Sequence, residues 1–206
     1  GEPPTWDPMV NPVSPNQIWA GFVSQGFVHY DPKTLELQPG LVIKWEYVQA
    51  TQLTLHVREG VKFHDRPPAN GRVMTADDIA YTLKRAGTND PTYLYHTRYD
   101  IIDNITTPDA TTVTITLKRP SASALSYIMG NQVVNRESIE AQGGVIKDPR
   151  QALGVGPFMG GDYQPGVGGS LVRNPNYWVA GQPYLDKIQW TIRIDAAAVL
   201  AALRAG

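Results

Sequence analysis

Four histidines, His29, His56, His64 and His96, are the side chains of this sequence that could serve as a neutral-pH base or lend an imidazole to a metal. None stands three or four residues from another, so no two share a helix face as a helical metal pair must. His64 is followed directly by Asp65, which suggests a base beside its orienting carboxylate. On an extended chain, however, adjacent side chains point to opposite faces, and the two cannot hydrogen-bond to each other without a special turn. The plainer reading is that Asp65 opens a bend and His64 packs beside it. A hydrolase would need His64 or His96 to meet a carboxylate brought from elsewhere, within about 3 Å.

Other chemistries find less support. The glycines of "GVGPFMGG" (154–161) resemble a dinucleotide loop, but Pro157 blocks the helix start such a loop needs and the spacing is wrong. There is no GxSxG element and no phosphate loop. Cysteine is absent, which excludes disulfides and thiolate metal sites. Lys and Arg number 18 against 19 for Asp and Glu, so no electrostatic footprint for nucleic acid exists. No cofactor is implied. Tyr93, Tyr95 and Tyr99 stand among polar residues in "NDPTYLYHTRYD" (89–100), where an aromatic is harder to explain as core. Two readings stay open there: a sugar- or peptide-binding face, or a packed loop.

The elements that must position these residues follow from periodicity. The opening 16 residues are proline-rich and read as extended. Ile18, Phe22 and Val23 have helical spacing, and Gly26 ends that segment. "HYDPKTLELQPGL" (29–41) reads as a strand end, an Asp-Pro turn and a short extended piece. In "TQLTLHVREG" (51–60), Leu53, Leu55 and Val57 alternate with Thr54, His56 and Arg58, which predicts a half-buried strand. Thr75 then caps a helix running to Ala86, with Asp77 and Asp78 in its first turn and Lys84 and Arg85 in its last. Val113, Ile115 and Leu117 mark a second alternating strand, and "SASALSYIMG" (121–130) and "RESIEAQGG" (136–144) read as short helices closed by glycine. "SLVRNPNYW" (170–178) and "DKIQWTIRID" (186–195) are strands, and Asp195 caps a terminal alanine-rich helix. The mixture predicts an α/β or α+β class. No apolar run approaches the roughly 20 residues of a spanning helix.

Taken together, several passages resemble one family. "LTLHVREGVKFHD…TADDIAYTLKR" (53–85) is similar to the signature of the extracellular solute-binding proteins of the peptide/nickel class, family 5, which serve ABC importers. "WDP" (6–8), "YDPKTLELQPGL" (30–41), "GVGPF" (154–158), "LVRNPNYW" (171–178) and "YLDKIQWTIRID" (184–195) resemble its other landmarks, in the family's order. Two departures stand out: Arg66 replaces the usual glycine after Asp65, and "RPPANGRVM" is longer than the family's turn.

The resemblance implies a periplasmic-binding-protein type II-like fold that closes on its ligand by hinge motion and changes no bond in it. Residues 1–43 and 155–206 would form part of the first lobe, and 44–154 the extra domain of the peptide-binding class. A second lobe would lie beyond the given residues. The chain starts Gly1-Glu2-Pro3-Pro4 without methionine and reads as processed or trimmed. The implied ligand contacts are Asn11, Pro12, Val13 and Ser14 after the opening strand, with Tyr93 or Tyr95 from the aromatic loop. The implied partners are a small-molecule or peptide ligand and an ABC permease. The implied setting is extracytoplasmic, periplasm or cell surface, with or without a lipid anchor, and the protein a monomer. Two rivals remain: the hydrolase using His64 or His96, and a non-catalytic surface domain in which Tyr93, Tyr95 and Tyr99 pack together with no open groove.

Overall fold

A computed structural model describes residues 3–11, 14–93, 95–193 and 195–205. Helix α1 (Ser14–Val23) leads into a small hairpin of β1 (Val28–Tyr30) and β2 (Leu37–Pro39). The turn between them is closed by Asp31, whose Oδ1 accepts the N–H groups of Lys33 and Thr34 at 2.8 and 2.9 Å. The buried stripe of α1 is Asn16, Trp19, Ala20 and Val23, a helical i, i+3, i+4, i+7 face. Ile18, expected on the inner face, is 63% exposed. The bulk of Trp19 takes the inward position because Trp6 lies there to receive it, ring centroids 5.4 Å apart.

The centre of the molecule is a four-stranded antiparallel sheet in the order β3-β4-β6-β5. The strands are β3 (Val42–Gln49), β4 (Gln52–Val57), β5 (Ile102–Asp109) and β6 (Thr112–Leu117). Leu53 stands opposite Ile115 and Leu55 opposite Val113, so the two alternating strands share one apolar face. Against this core pack Ile79 and Leu83 of α2 (Ala76–Ala86) and Ile128 and Met129 of α3 (Ala124–Met129). Thr54, Thr114 and Thr116 fall on the opposite, half-buried face. Helix α2 starts as its sequence requires: the Asp78 carboxylate accepts the N–H of Thr75 at 2.9 Å. Leu55 is fully buried in the middle of this core. Leu55→Ala is therefore expected to lower stability by about 2–5 kcal/mol, read as a shift in denaturant midpoint with unchanged slope.

Helix α4 (Arg136–Ala141) is capped by Asn135, whose side chain accepts the Ser138 N–H at 2.8 Å. A three-stranded sheet, β7-β8-β9, follows (Phe158–Gln164, Gly168–Arg173, Lys187–Thr191), and then α5 (Ala196–Ala205). A second core joins the two ends of the chain: Trp6, Trp19 and Val23 pack with Phe158 and Leu171. Val134, Ile139 and Ile146 enter the same core from the middle of the sequence. No helix among the described residues is long and apolar enough to cross a membrane.

Candidate functional site

The tyrosine loop, the proline-rich opening segment and α3 converge on one groove of about 310 Å³. Pro8 and Met9 of the opening segment, Gln17 of α1, and Tyr95, Arg98 and Tyr127 line it. Polar contacts hold these segments in position. The opening segment is tied down where Trp6 donates its N–H to the Ile146 carbonyl at 2.9 Å. Asp7, fully buried, receives both terminal nitrogens of Arg85 at 3.0 and 2.5 Å and accepts the Met9 N–H at 3.1 Å. Arg85 also donates to the Gly144 carbonyl at 2.9 Å and lies over the Tyr93 ring at 5.1 Å. One guanidinium thus fastens the opening segment, the loop after α4 and the start of the tyrosine loop to α2.

The tyrosines divide their work. Tyr93 is half-buried under Arg85, away from the groove, whereas Tyr95 is 44% exposed and lines it. Tyr99 packs against the main core and donates its hydroxyl to Asn131 Oδ1 at 3.0 Å; burial pushes its phenol pKa up. Asn131 spends its amide N–H groups on the carbonyls of Tyr127 and Ile128 at 2.8 and 2.9 Å. The groove floor is therefore built from satisfied polar groups, with one exception: Gln132 Oε1 is buried and has no partner.

The opening residues 3–11 form turns and not the expected strand, and Asn11 at their end is buried and uses its side chain internally, donating to the Thr5 carbonyl at 3.2 Å. Its own carbonyl accepts from the Asn16 amide at 2.6 Å. Pro12 and Val13 lie outside the described residues, and Ser14 is the first residue of α1. The groove thus brings Tyr95 together with Pro8 and Met9, and neither Asn11 nor Tyr93 lines it. Arg98, Tyr127 and Gln132 were not singled out from the sequence. Arg98 carried a signal, a cation inside the tyrosine loop; Tyr127 and Gln132 carried none.

The histidines occupy other places. His64 is fully buried, and its ring is engaged at both nitrogens: Nδ1 accepts the Gly154 N–H at 3.3 Å and Nε2–H donates to the Gly156 carbonyl at 3.1 Å. Burial lowers its pKa to about 4, so it is neutral at pH 7. Its backbone N–H reaches the Gly154 carbonyl as well, at 2.9 Å. The glycines of "GVGPF" are needed here, because a Cβ on Gly154 or Gly156 would overlap the backbone of Val23. His96 Nδ1 donates to the Tyr93 carbonyl at 2.8 Å. The histidine–carboxylate pair that does approach 3.0 Å is His56 with Glu46, on the open outer face of β3 and β4. Arg66, where the family's glycine was expected, reaches across to the Gly160 carbonyl at 2.5 Å and ties the longer bend to β7. No group of three His, Asp or Glu that could hold a metal occurs among the described residues.

A second groove of about 350 Å³ runs between Ile18, Phe22, Ile188 and Trp190. It is walled mainly by apolar side chains, with Arg193 and Thr191 at its rim, and offers fewer groups to orient a solute than the first.

The family model described as "Bacterial extracellular solute-binding proteins, family 5 Middle" matches residues 36–206. Among curated proteins, the chain is 28% identical over 200 residues to Di/tripeptide-binding protein 4 of Pseudomonas aeruginosa, covering 86% of this chain and 36% of the relative. It is 27% identical over 200 residues to Heme-binding protein A of Haemophilus influenzae, covering 87% of this chain and again 36% of the relative. Among solved structures, the binding protein AgaA of A. tumefaciens R10, in complex with agropinic acid, aligns at a TM-score of 0.85 and 26% identity. That alignment covers 100% of this chain and 41% of AgaA. The mixed α/β architecture is shared with that protein, and the chain spans little more than a third of these curated relatives.

Proposed function

Because the chain belongs to family 5 of the bacterial extracellular solute-binding proteins, we propose that it is part of the substrate-binding component of an ABC importer. In this reading it captures a peptide or similar small solute outside the membrane and hands it to the permease. The observation that carries the reading is the groove itself. An exposed tyrosine and an arginine line it together with Pro8 and Met9 of the opening segment. Such a surface offers stacking area and a cation, and no histidine or carboxylate among its described lining residues, which suits binding without reaction. A second wall closing by hinge motion would exclude water from the ligand.

We assign residues 1–43 and 155–206 to a partial first lobe and 44–154 to an extra domain. The shared packing of Trp6 and Trp19 with Phe158 and Leu171 supports placing both ends in one unit. The boundary is a packed seam and not a linker, since Ile139 and Ile146 enter that same core. An extracytoplasmic setting and a permease partner follow from the family reading.

The relatives are named for different ligands, di- and tripeptides, haem and agropinic acid. The test is therefore a panel: calorimetric titration of the full-length protein with free di- and tripeptides, haem and opine-type acids. At least one class is expected to bind, and Tyr95→Ala is expected to weaken that binding about tenfold or more, or about 1.4 kcal/mol, with the unfolding midpoint unchanged. Absence of binding across the panel, or an affinity indifferent to Tyr95, would refute the reading.

A further inference from the structure

The geometry points to Arg98 as the anchor for a carboxylate on the bound solute. Its guanidinium lies over the Tyr95 ring at 4.0 Å and the Tyr127 ring at 5.3 Å from the centroids, so two aromatic rings hold it. Stacking occupies the faces of a guanidinium and leaves the N–H edge free to donate. No carboxylate among the described residues pairs with Arg98, while Arg58, Arg66, Arg72, Arg85, Arg136 and Arg150 each spend their guanidinium on a protein oxygen.

The surroundings reinforce this. Arg98 also lines an adjoining depression, together with Lys118, Arg119 and one carboxylate, Asp100. The local excess of positive charge contrasts with the net charge of −1 for the chain and favours an anionic guest. A carboxylate meets a guanidinium edge through two parallel, charge-assisted hydrogen bonds, and a guanidinium held in place by stacking loses little freedom on making them. A free peptide carries such a carboxylate at its C-terminus. The inference rests on the binding-protein reading and specifies its chemistry.

Two measurements on the full-length protein separate the anchor from that reading. The first follows the Arg98 side-chain Nε–H resonance, identified by its loss in Arg98→Lys, during titration with succinate and with neutral succinamide. A saturable shift with succinate alone is expected; a linear drift no larger than that of other exposed arginines overturns the anchor. The second compares a library of free tripeptides with the same library amidated at the C-terminus, by retention on wild-type protein and Arg98→Gln. Free peptides are expected to be retained, amides lost, and Arg98→Gln to bind at least tenfold more weakly. Equal retention of amides, or of free peptides by Arg98→Gln, overturns the anchor and leaves peptide binding standing. Saturable succinate binding without retention of any peptide upholds the anchor and defeats the peptide reading.

Discussion

Arg85→Ala is expected to destabilise the protein by about 3–5 kcal/mol, because it strands the Asp7 carboxylate in a dry interior. The Asp7 side chain is 0% exposed and that of Arg85 5%, and the pair is bidentate. Neither charge can be rehydrated without dislodging the opening segment from α2. The same guanidinium also serves the Gly144 carbonyl and the Tyr93 ring, so three segments lose their common fastening. Asp7→Ala should cost a similar amount for the mirrored reason, an unpaired buried cation. The double replacement Asp7→Leu with Arg85→Met should cost much less than the two single losses added together, since no charge is then left uncompensated. Denaturant unfolding followed by tryptophan fluorescence reads this directly, Trp6 being the residue next to Asp7. A loss below about 1 kcal/mol for either single substitution would show that water reaches the pair and that the clamp is no more than a surface ion pair.

The second large effect concerns His64 and is both structural and pH-dependent. His64→Ala removes the acceptor for the Gly154 N–H and leaves a ring-sized void in the interior, an expected loss of about 3–5 kcal/mol. The Gly156 carbonyl is less affected, since the Asn174 side-chain amide also donates to it, at 3.0 Å. The pH dependence follows from a folded-state pKa of about 4 against 6.5 for the free side chain. Between those values the unfolded chain binds a proton that the folded one does not. Stability from this group is therefore fully present above pH 6.5, declines by about 1.4 kcal/mol per pH unit below it, and levels off below pH 4, a total of about 3 kcal/mol. His64→Gln lacks the titrating ring, so the stability difference between wild type and variant should narrow by about that amount from pH 7 to pH 4. A difference that stays constant over the range would mean that His64 titrates as it does in water.

His64 also shows how a correct local reading stops short. Its adjacency to Asp65 argued against a reactive pair, and the ring indeed turns away. That it would bind the "GVGPF" glycines some 90 positions later could not be inferred from spacing. The elements read most clearly were β4, β6 and α2. Leu53, Leu55 and Val57, or Val113, Ile115 and Leu117, alternate because one sheet face is buried, and Thr75 with Asp78 marks a helix start chemically. The strands that escaped notice were β3, β5 and β7. The first two are sheet edges with both faces partly wet, so no strict alternation is imposed on them. The third contains Gly160 and Gly161, tolerated there because Pro149 and Ser170 press against the backbone.

Locally enforced features were thus present in the order of residues: which strands bury a face, where α2 begins, that no thiol chemistry exists, and that Tyr95 belongs to an unusual polar loop. The family likeness was legible too, through short segments whose turns and caps recur in a set order. The groove was not. It depends on Asp7 finding Arg85, on Tyr93 sinking under that guanidinium while Tyr95 stays out, and on Arg98 meeting Tyr127 from a separate helix. The first and last of these contacts join residues about 80 and about 30 positions apart. They are chosen by how the two cores pack and how buried charges are neutralised, and periodicity along a chain carries no information about either.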